Sequence, residues 1–462
     1  MDTKEEHVMV VNCRGHKKHM QFLLGMMQPY LNHHAKFIVA DGACAGLLRL
    51  VEGRYPGITG VKCAAHSIDL AIKDICKQDW AAELVKSVRE AVKFLKRHQK
   101  LLAIVKKKSP TRGLLLPNDT RFGTSVIMTN RFLDMKSALK NTVVDEEYRA
   151  YLDDSSVKLA TRNLGKRIRD FILNDEMEEG ACWFEVEFFL AATMPFFELV
   201  RLADGIKPQA AQLYKKLRGA LDGLEARFDS TRAWAGIRDR LPPIQEVLRK
   251  RRIYMKSPVY GAAFALSPAY QKECLADYDD NGPVEDVRIM SQRLLLDLGD
   301  SRITAKAAIE EASELPEGGP VGKAMAQLAR FRSGSFSGKN DLGSARTVSG
   351  QAWWHTLGRP GLDELATVAC YVLSMIPAAA GCERNWSLLG SITGGKHARL
   401  SPEKAQKLVY VRANQHLLHR EFHKGQEDYE AEGFGGESDD DIIPSESESE
   451  KESESEEDME DD

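Results

Sequence analysis

Four places in the sequence carry side chains whose type and spacing suit chemistry. Asp41 ends the apolar run Phe37-Ile-Val-Ala40 and precedes Gly42-Ala-Cys-Ala-Gly46. A carboxylate at the carboxyl end of a buried strand, beside small residues, leaves room for a metal ion or a phosphate. A strand-ending Asp equally caps the helix that follows. Cys63-Ala-Ala-His66 and Cys13-Arg-Gly-His16 each have the spacing of half a zinc site, and two such halves would complete a Cys2His2 tetrahedron. No further ligand spacing supports that tetrahedron, so the sequence reads against zinc, with Cys63 and His66 packing or hydrogen-bonding at a strand end. Glu383, in Glu383-Arg384-Asn385-Trp386-Ser387, follows small residues that would let it approach a second carboxylate. The alternative is a surface Glu–Arg neighbour pair. The basic runs at 106–108 (Lys106, Lys107 and Lys108) and 249–252 suit phosphate contacts, an import signal, or solvated helix ends.

These residues need elements to position them. Short apolar runs predict strands at 8–13, 37–41 and 60–64, alternating with amphipathic segments at 16–31, 43–52 and 67–76. Such alternation argues for an α/β sheet. From about residue 80 to 330 the pattern turns helical. Leu84, Val88, Val92, Leu95 and Leu102 repeat at 3–4 residue spacing, with Lys86, Lys93, Lys96, Arg97 and Lys100 on the other side. Further helices are predicted at 146–173, 183–202, 210–229 and 304–331, and a Gly/Ser-rich loop at 333–350. A helix at 362–376 and another from about 381 follow. Ser401-Pro402 supplies an N-cap and a first-turn proline for a helix running to about 419. On that helix Ala405, Leu408, Val411 and Leu418 share one face, suited equally to the core and to a second subunit.

The chain has 462 residues, enough for two or three domains, and a hydrophobic content of 43% that excludes global disorder. No apolar run approaches the ~20 residues that span a bilayer, and the polar, acidic opening predicts no secretory leader. Eight scattered cysteines without framework spacing point to reduced thiols. The net charge of −4 conceals a split. Residues 427–462 hold 19 acidic residues and one basic one, so residues 1–426 carry +14, and 86–140 alone carries +11. A basic body with an acidic tail predicts polyanion binding, with the tail as competitor, as a lure for a basic protein partner, or as a mere solubiliser. The Ser/Glu alternation at 445–455 suits an acid-directed kinase.

Taken in order, these segments resemble a hAT-superfamily transposase of the domesticated or decayed kind. The stretch 37–46 resembles the family's strand bearing the second catalytic Asp. Cys63-Ala-Ala-His66 resembles its C-x-x-H segment, and Asp119-Thr-Arg121-Phe-Gly-Thr-Ser125 its T-R-W-x-S stretch, with Phe122 in place of Trp. Trp353-Trp354, Leu365-Ala366, the stretch 379–387 with Glu383, Arg384 and Trp386, and then Arg399-Leu-Ser-Pro402 resemble the C-terminal dimerisation region. The match is collinear over roughly residues 16–418.

The resemblance implies an RNase H-like sheet interrupted by a large helical insertion, an α/β plus all-α chain. Its divisions are 1–84 (sheet), 85–350 (insertion, with the basic stretch 86–140), 351–424 (C-terminal catalytic and dimerisation region) and 425–462 (disordered acidic tail). It implies Mg-dependent DNA strand cleavage and transfer, with Asp41 and Glu383 matching two of three metal-binding carboxylates. The sequence departs from the pattern in that no counterpart of the first Asp or of the zinc finger is found. The strand at 8–13 resembles the third strand of the fold, so two central strands are expected to be missing and the edges of 8–13 and 37–41 to be open. The expectation is a nuclear, non-catalytic protein that homodimerises through Leu365, Leu408, Val411 and Leu418. It would bind DNA through Lys86, Lys93, Lys96, Arg97, Lys100, Lys106, Lys107, Lys108 and Arg112. The alternatives are an active or fragmentary transposase using Mg, and a purely structural module.

Overall fold

The computed structural model describes residues 8–11, 35–116, 123–174, 179–205, 207–276, 282–295, 319–333, 349–356, 361–379, 388–390, 392–393, 400–401, 403–405 and 407–412. The chain divides into two compact units, Met1–Arg384 and Asn385–Asp462.

Three short strands, β1 (Val8–Val11), β2 (Phe37–Ala40) and β3 (Thr59–Lys62), build the only sheet among the described residues, in the order β1-β2-β3. Both pairings are parallel, with Val8 opposite Phe37 and Ala40 opposite Lys62. All four residues of β2 are buried, as a central parallel strand covered on both faces requires. The two-residue period divides their side chains between two cores. Ile38 and Ala40 pack with Leu47, Leu48 and Val51 of helix α1 (Ala45–Arg54), while Phe37, Val39 and Val61 join the large core on the opposite face.

Of the two expected open edges, that of β2 is closed, whereas the outer edge of β1 pairs with no described strand. β1 lies directly against β2 along its whole length, so β2 has a partner on each side and its backbone groups are paired. No further strand separates the two.

The rest of the described part of the first unit is mostly helical. Helix α2 (Ala64–Cys76) follows β3 and leads to α3 (Asp79–Arg97), α4 (Gln99–Lys108), α5 (Thr124–Asp134), α6 (Lys136–Val143), α7 (Glu146–Asp153) and α8 (Leu159–Leu173). Then come α9 (Cys182–Ala203), α10 (Ala210–Ser230), α11 (Leu241–Tyr254), α12 (Pro258–Leu266), α13 (Gln271–Ala276), α14 (Gly282–Leu295), α15 (Pro320–Arg332), α16 (Gly350–Thr356) and α17 (Asp363–Leu373). Helix α9 is the spine. It buries Trp183, Phe184, Phe188, Phe189 and Phe196 and packs against α2, α5 and α10. One continuous core runs from Val39 of the sheet to Ala379.

Two predicted helices are broken. The stripe from Leu84 to Leu102 divides at His98, whose extended backbone turns the chain while its ring packs on Phe94 at 4.8 Å and its Nδ1 meets the Tyr151 hydroxyl at 2.9 Å. The segment 146–173 divides at Asp154, whose Oδ1 accepts from the Ser156 amide at 2.8 Å and so holds a local turn in place of a helix. Helix α12 escapes periodicity for the opposite reason. It is buried on every side from Val259 to Leu266, so no polar stripe marks it. Of the predicted helix 304–331, residues 320–331 are helical and 304–318 lie outside the described residues, as do 16–31 and most of the 333–350 loop.

Among the described residues no helix is long and apolar enough to cross a membrane. In the second unit residues 403–405 and 407–412 are helical, as the Ser401-Pro402 start predicts.

Candidate functional site

The carboxyl ends of β2 and β3 bring charged groups together. Asp41 follows the last residue of β2 and is only 3% exposed. Burying a carboxylate is costly unless it is compensated. The compensation comes from His66, in the first turn of α2, whose Nε2 lies 3.0 Å from Asp41 Oδ1. The contact is a charge pairing when the imidazole is protonated. The His66 imidazole, with the amides of Gly42 and Ala43, holds the Asp41 carboxyl below its ordinary value, against the opposing effect of burial.

Gly42 is small for a reason. A Cβ there would collide with the hydroxyl of Tyr254, the last residue of α11. Burial, and then the charge of Asp41, push the Tyr254 phenol upward. Lys62, the last residue of β3, lays its ammonium 3.5 Å from the centre of the Tyr254 ring. Helix α11 is fixed to α2 by Arg251, whose Nε donates to Asp74 Oδ2 at 2.9 Å.

The two halves of the Cys-x-x-His segment diverge. His66 turns to Asp41, whereas Cys63 is fully buried, and its Sγ accepts from the Ala379 amide at 3.3 Å. The next amide, of Ala64, donates to the Pro377 carbonyl at 2.8 Å. The Cys63 amide itself donates to Ala40 at 2.7 Å, extending the β2–β3 ladder by one residue. Residues 375–379 are thereby held at the strand ends more than 300 residues after Cys63 in sequence. Ala379 lies four positions before Glu383.

Glu383, Arg384, Trp386, Arg399, Arg121 and Leu418 lie outside the described residues. Trp353 and Trp354 are fully buried core residues, packed on each other and on Phe331, and the Trp354 indole donates to the Leu266 carbonyl at 2.7 Å. Leu365, expected at a dimer surface, is fully buried in the core of the first unit, where its amide donates to Gln327 Oε1 at 2.8 Å. It is the wrong side of α17 that the sequence leaves ambiguous, because Leu365 continues an apolar face shared with Val368, Ala369 and Val372. Leu408 and Val411 are 47% and 56% exposed.

The basic set divides as well. Lys86, Lys93, Arg97, Lys100 and Lys106 are exposed or nearly so and make no ion pair with any described residue. Lys108 is paired with Asp145 at 2.8 Å and Arg112 with Asp134 at 3.0 Å; Lys107 lies 3.9 Å from Glu147, and Lys96 Nζ donates to the Leu114 carbonyl at 3.2 Å. Those four are partly committed to holding α3 and α4 against their neighbours.

Sequence reasoning misses two residues that structure the site. Tyr254 stands 213 positions after Asp41 with no local signal. Asp69 is fully buried; its Oδ1 accepts from the Gly123 amide at 2.7 Å and its Oδ2 lies 2.9 Å from Lys73. The i,i+4 spacing of Asp69 and Lys73 on a predicted helix is a signal that could have marked it. The bond anchors the turn that follows the Arg121 segment.

No three metal-ligating side chains converge among the described residues. A magnesium pair requires several carboxylate oxygens, and Asp41 with one imidazole does not supply them. The described residues therefore do not by themselves fit the metal that the resemblance implies. Neither protein-family models nor curated proteins yield a match to the sequence.

Proposed function

We propose that this chain is a hAT-type, transposase-derived nuclear protein that acts through DNA binding and self-association rather than through strand cleavage. One observation carries the reading. Residues 375–379 return across the whole helical insertion to the ends of β2 and β3, where Cys63 and Ala64 bind them beside Asp41. An RNase H-like sheet interrupted by an insertion needs that closure, because its last carboxylate comes from the far side of the insertion. Glu383 follows within four residues of the docked segment.

The non-catalytic part of the reading rests on the chemistry of Asp41. Its carboxylate is engaged by the His66 imidazole, and two carboxylates, Asp41 and Glu383, are what the sequence offers where the family's reaction uses three. DNA binding is supported by the +11 of residues 86–140 together with the solvent-facing Lys86, Lys93, Arg97, Lys100 and Lys106, which form no ion pair with any described residue. Self-association is supported by Leu408 and Val411, exposed one helical turn apart on the second unit.

The test is a binding and nicking assay of the full chain on duplex DNA with and without Mg2+. The expected result is salt-sensitive binding without strand breaks. Robust Mg-dependent cleavage abolished by Asp41→Ala would show an active enzyme instead, and absence of binding at low salt would remove DNA as the partner.

A further inference from the structure

Four Ser-Pro pairs occur in the sequence, at Ser109, Ser257, Ser267 and Ser401. Ser109 and Ser401 also have a basic residue three positions on, Arg112 and Lys404. That pattern suits a proline-directed protein kinase. Such an enzyme holds the acceptor segment extended, makes no use of the N–H that proline lacks, and draws the later cation to an acidic surface. Pattern alone does not separate the four, but the fold does.

Three of them open helical segments. Ser257 caps α12, whose first residue is Pro258, and its hydroxyl oxygen is buried. Ser267 is 6% exposed and precedes the short helical turn Pro268–Tyr270. Ser401 heads the helical residues 403–405, where its carbonyl accepts from the Ala405 amide at 2.9 Å. Its Lys404 therefore lies in a helical turn and not along an extended segment.

Ser109 instead ends a helix. The proline that follows disfavours helical backbone at Ser109, which takes φ −138° and ψ 81° and stops α4 at Lys108. From Ser109 to Leu116 the chain is neither helix nor strand, and Pro110, Thr111, Arg112 and Gly113 are all exposed. The half-buried Ser109 donates its hydroxyl to the Arg112 carbonyl at 2.9 Å, a surface bond.

We infer that Ser109 is a phosphorylation site for a proline-directed kinase, and that its phosphate weakens DNA binding by the basic stretch 86–140. In the transfer, Ser109 Oγ bonds to the γ-phosphorus of ATP and the bond from that phosphorus to the β–γ bridging oxygen breaks. ADP leaves, and the hydroxyl proton passes to the catalytic carboxylate of the kinase. The product carries about −1.5 to −2 charge at neutral pH. That charge directly follows Lys106, Lys107 and Lys108 and precedes Arg112 by three residues. The effect on binding rests on the DNA-binding reading above, whereas the modification itself does not.

The test incubates the full chain with a purified cyclin-dependent kinase, ATP and Mg2+, and maps phosphorylated residues by mass spectrometry. Wild type should carry phosphate on Ser109, and Ser109→Ala and Pro110→Ala should both lose it. Affinity for a duplex of arbitrary sequence is then read by fluorescence anisotropy over a range of salt concentrations. Phosphorylated wild type should bind roughly 3–10-fold more weakly near 0.1 M salt, with the slope of log K against log salt shallower by about one to two. Kinase-treated Ser109→Ala should bind like untreated wild type. No phosphate on Ser109, or undiminished phosphate in Pro110→Ala, overturns the site. Phosphate on Ser109 with unchanged affinity and slope, or equal weakening of kinase-treated Ser109→Ala, overturns the regulation and leaves the DNA-binding reading standing. If untreated wild type binds no duplex, that reading and the regulation fail together, and the mapping still decides the site.

Discussion

Asp41 is the residue whose ionisation the fold controls most directly. Its carboxyl is held below the ordinary value of 3.8, so the Asp41–His66 pairing contributes stability that is fully present above that pH and is lost as pH falls through the lower folded value. Replacing His66 by Ala leaves a buried carboxylate without its imidazole partner and is expected to destabilise the chain by about 1–3 kcal/mol at neutral pH. Urea denaturation from about pH 6 to about pH 2 checks this, and the gap between wild type and His66→Ala should close at the acid end. Gly123 is a second residue with little tolerance. Its φ of +62° disfavours any side chain, and a Cβ would lie 2.5 Å from the Phe197 ring. Gly123→Ala should cost more than the about 1–2 kcal/mol of the backbone conformation alone, read as a lowered urea midpoint.

At the scale of elements, the junction of α2 with the turn before α5 depends on one carboxylate. Asp69→Ala strands the Gly123 amide and should destabilise by about 1–3 kcal/mol, whereas Asp69→Asn retains an acceptor and should cost less. The order of the two variants in thermal unfolding tests the role. Helices α12, α15 and α16 meet around Trp353 and Trp354, where Trp354→Phe keeps the ring but loses the bond to Leu266 and should cost about 1 kcal/mol. The elements read most easily from sequence are those with one wet face. Helix α3 shows its stripe because Lys86, Lys93 and Arg97 stay exposed opposite Leu84, Val88 and Leu95. Helix α12 and the breaks at His98 and Asp154 do not show, since complete burial erases periodicity and a ring–hydroxyl contact across 53 residues has no local trace. Asp41 and His66 were each legible as strand-end groups. Their pairing, and Tyr254 beside them, were not.

For the whole molecule, charge decides the expected behaviour. The −18 of residues 427–462 opposes the +14 of the body, and deleting it should tighten duplex binding, most strongly at low salt. Equal affinity with and without the tail would leave it a solubiliser. Self-association belongs to the same scale. If Leu408 and Val411 meet a second copy, Leu408→Asp/Val411→Asp should give a monomer by light scattering at micromolar concentration without loss of helicity, because both side chains are exposed and leave no cavity in the chain's own fold.

The sequence by itself determined the strands that precede Asp41 and Cys63, the helical character between residues 80 and 330, and the division of charge between body and tail. Each of these follows from local apolar period or from composition. The tertiary structure alone decided that β1 pairs directly with β2, that residues 375–379 close on Cys63 and Ala64, and that Leu365 points into the core. Those are outcomes of contacts between segments tens to hundreds of residues apart, set by which buried polar groups find partners, and that allocation is made only when the chain has folded.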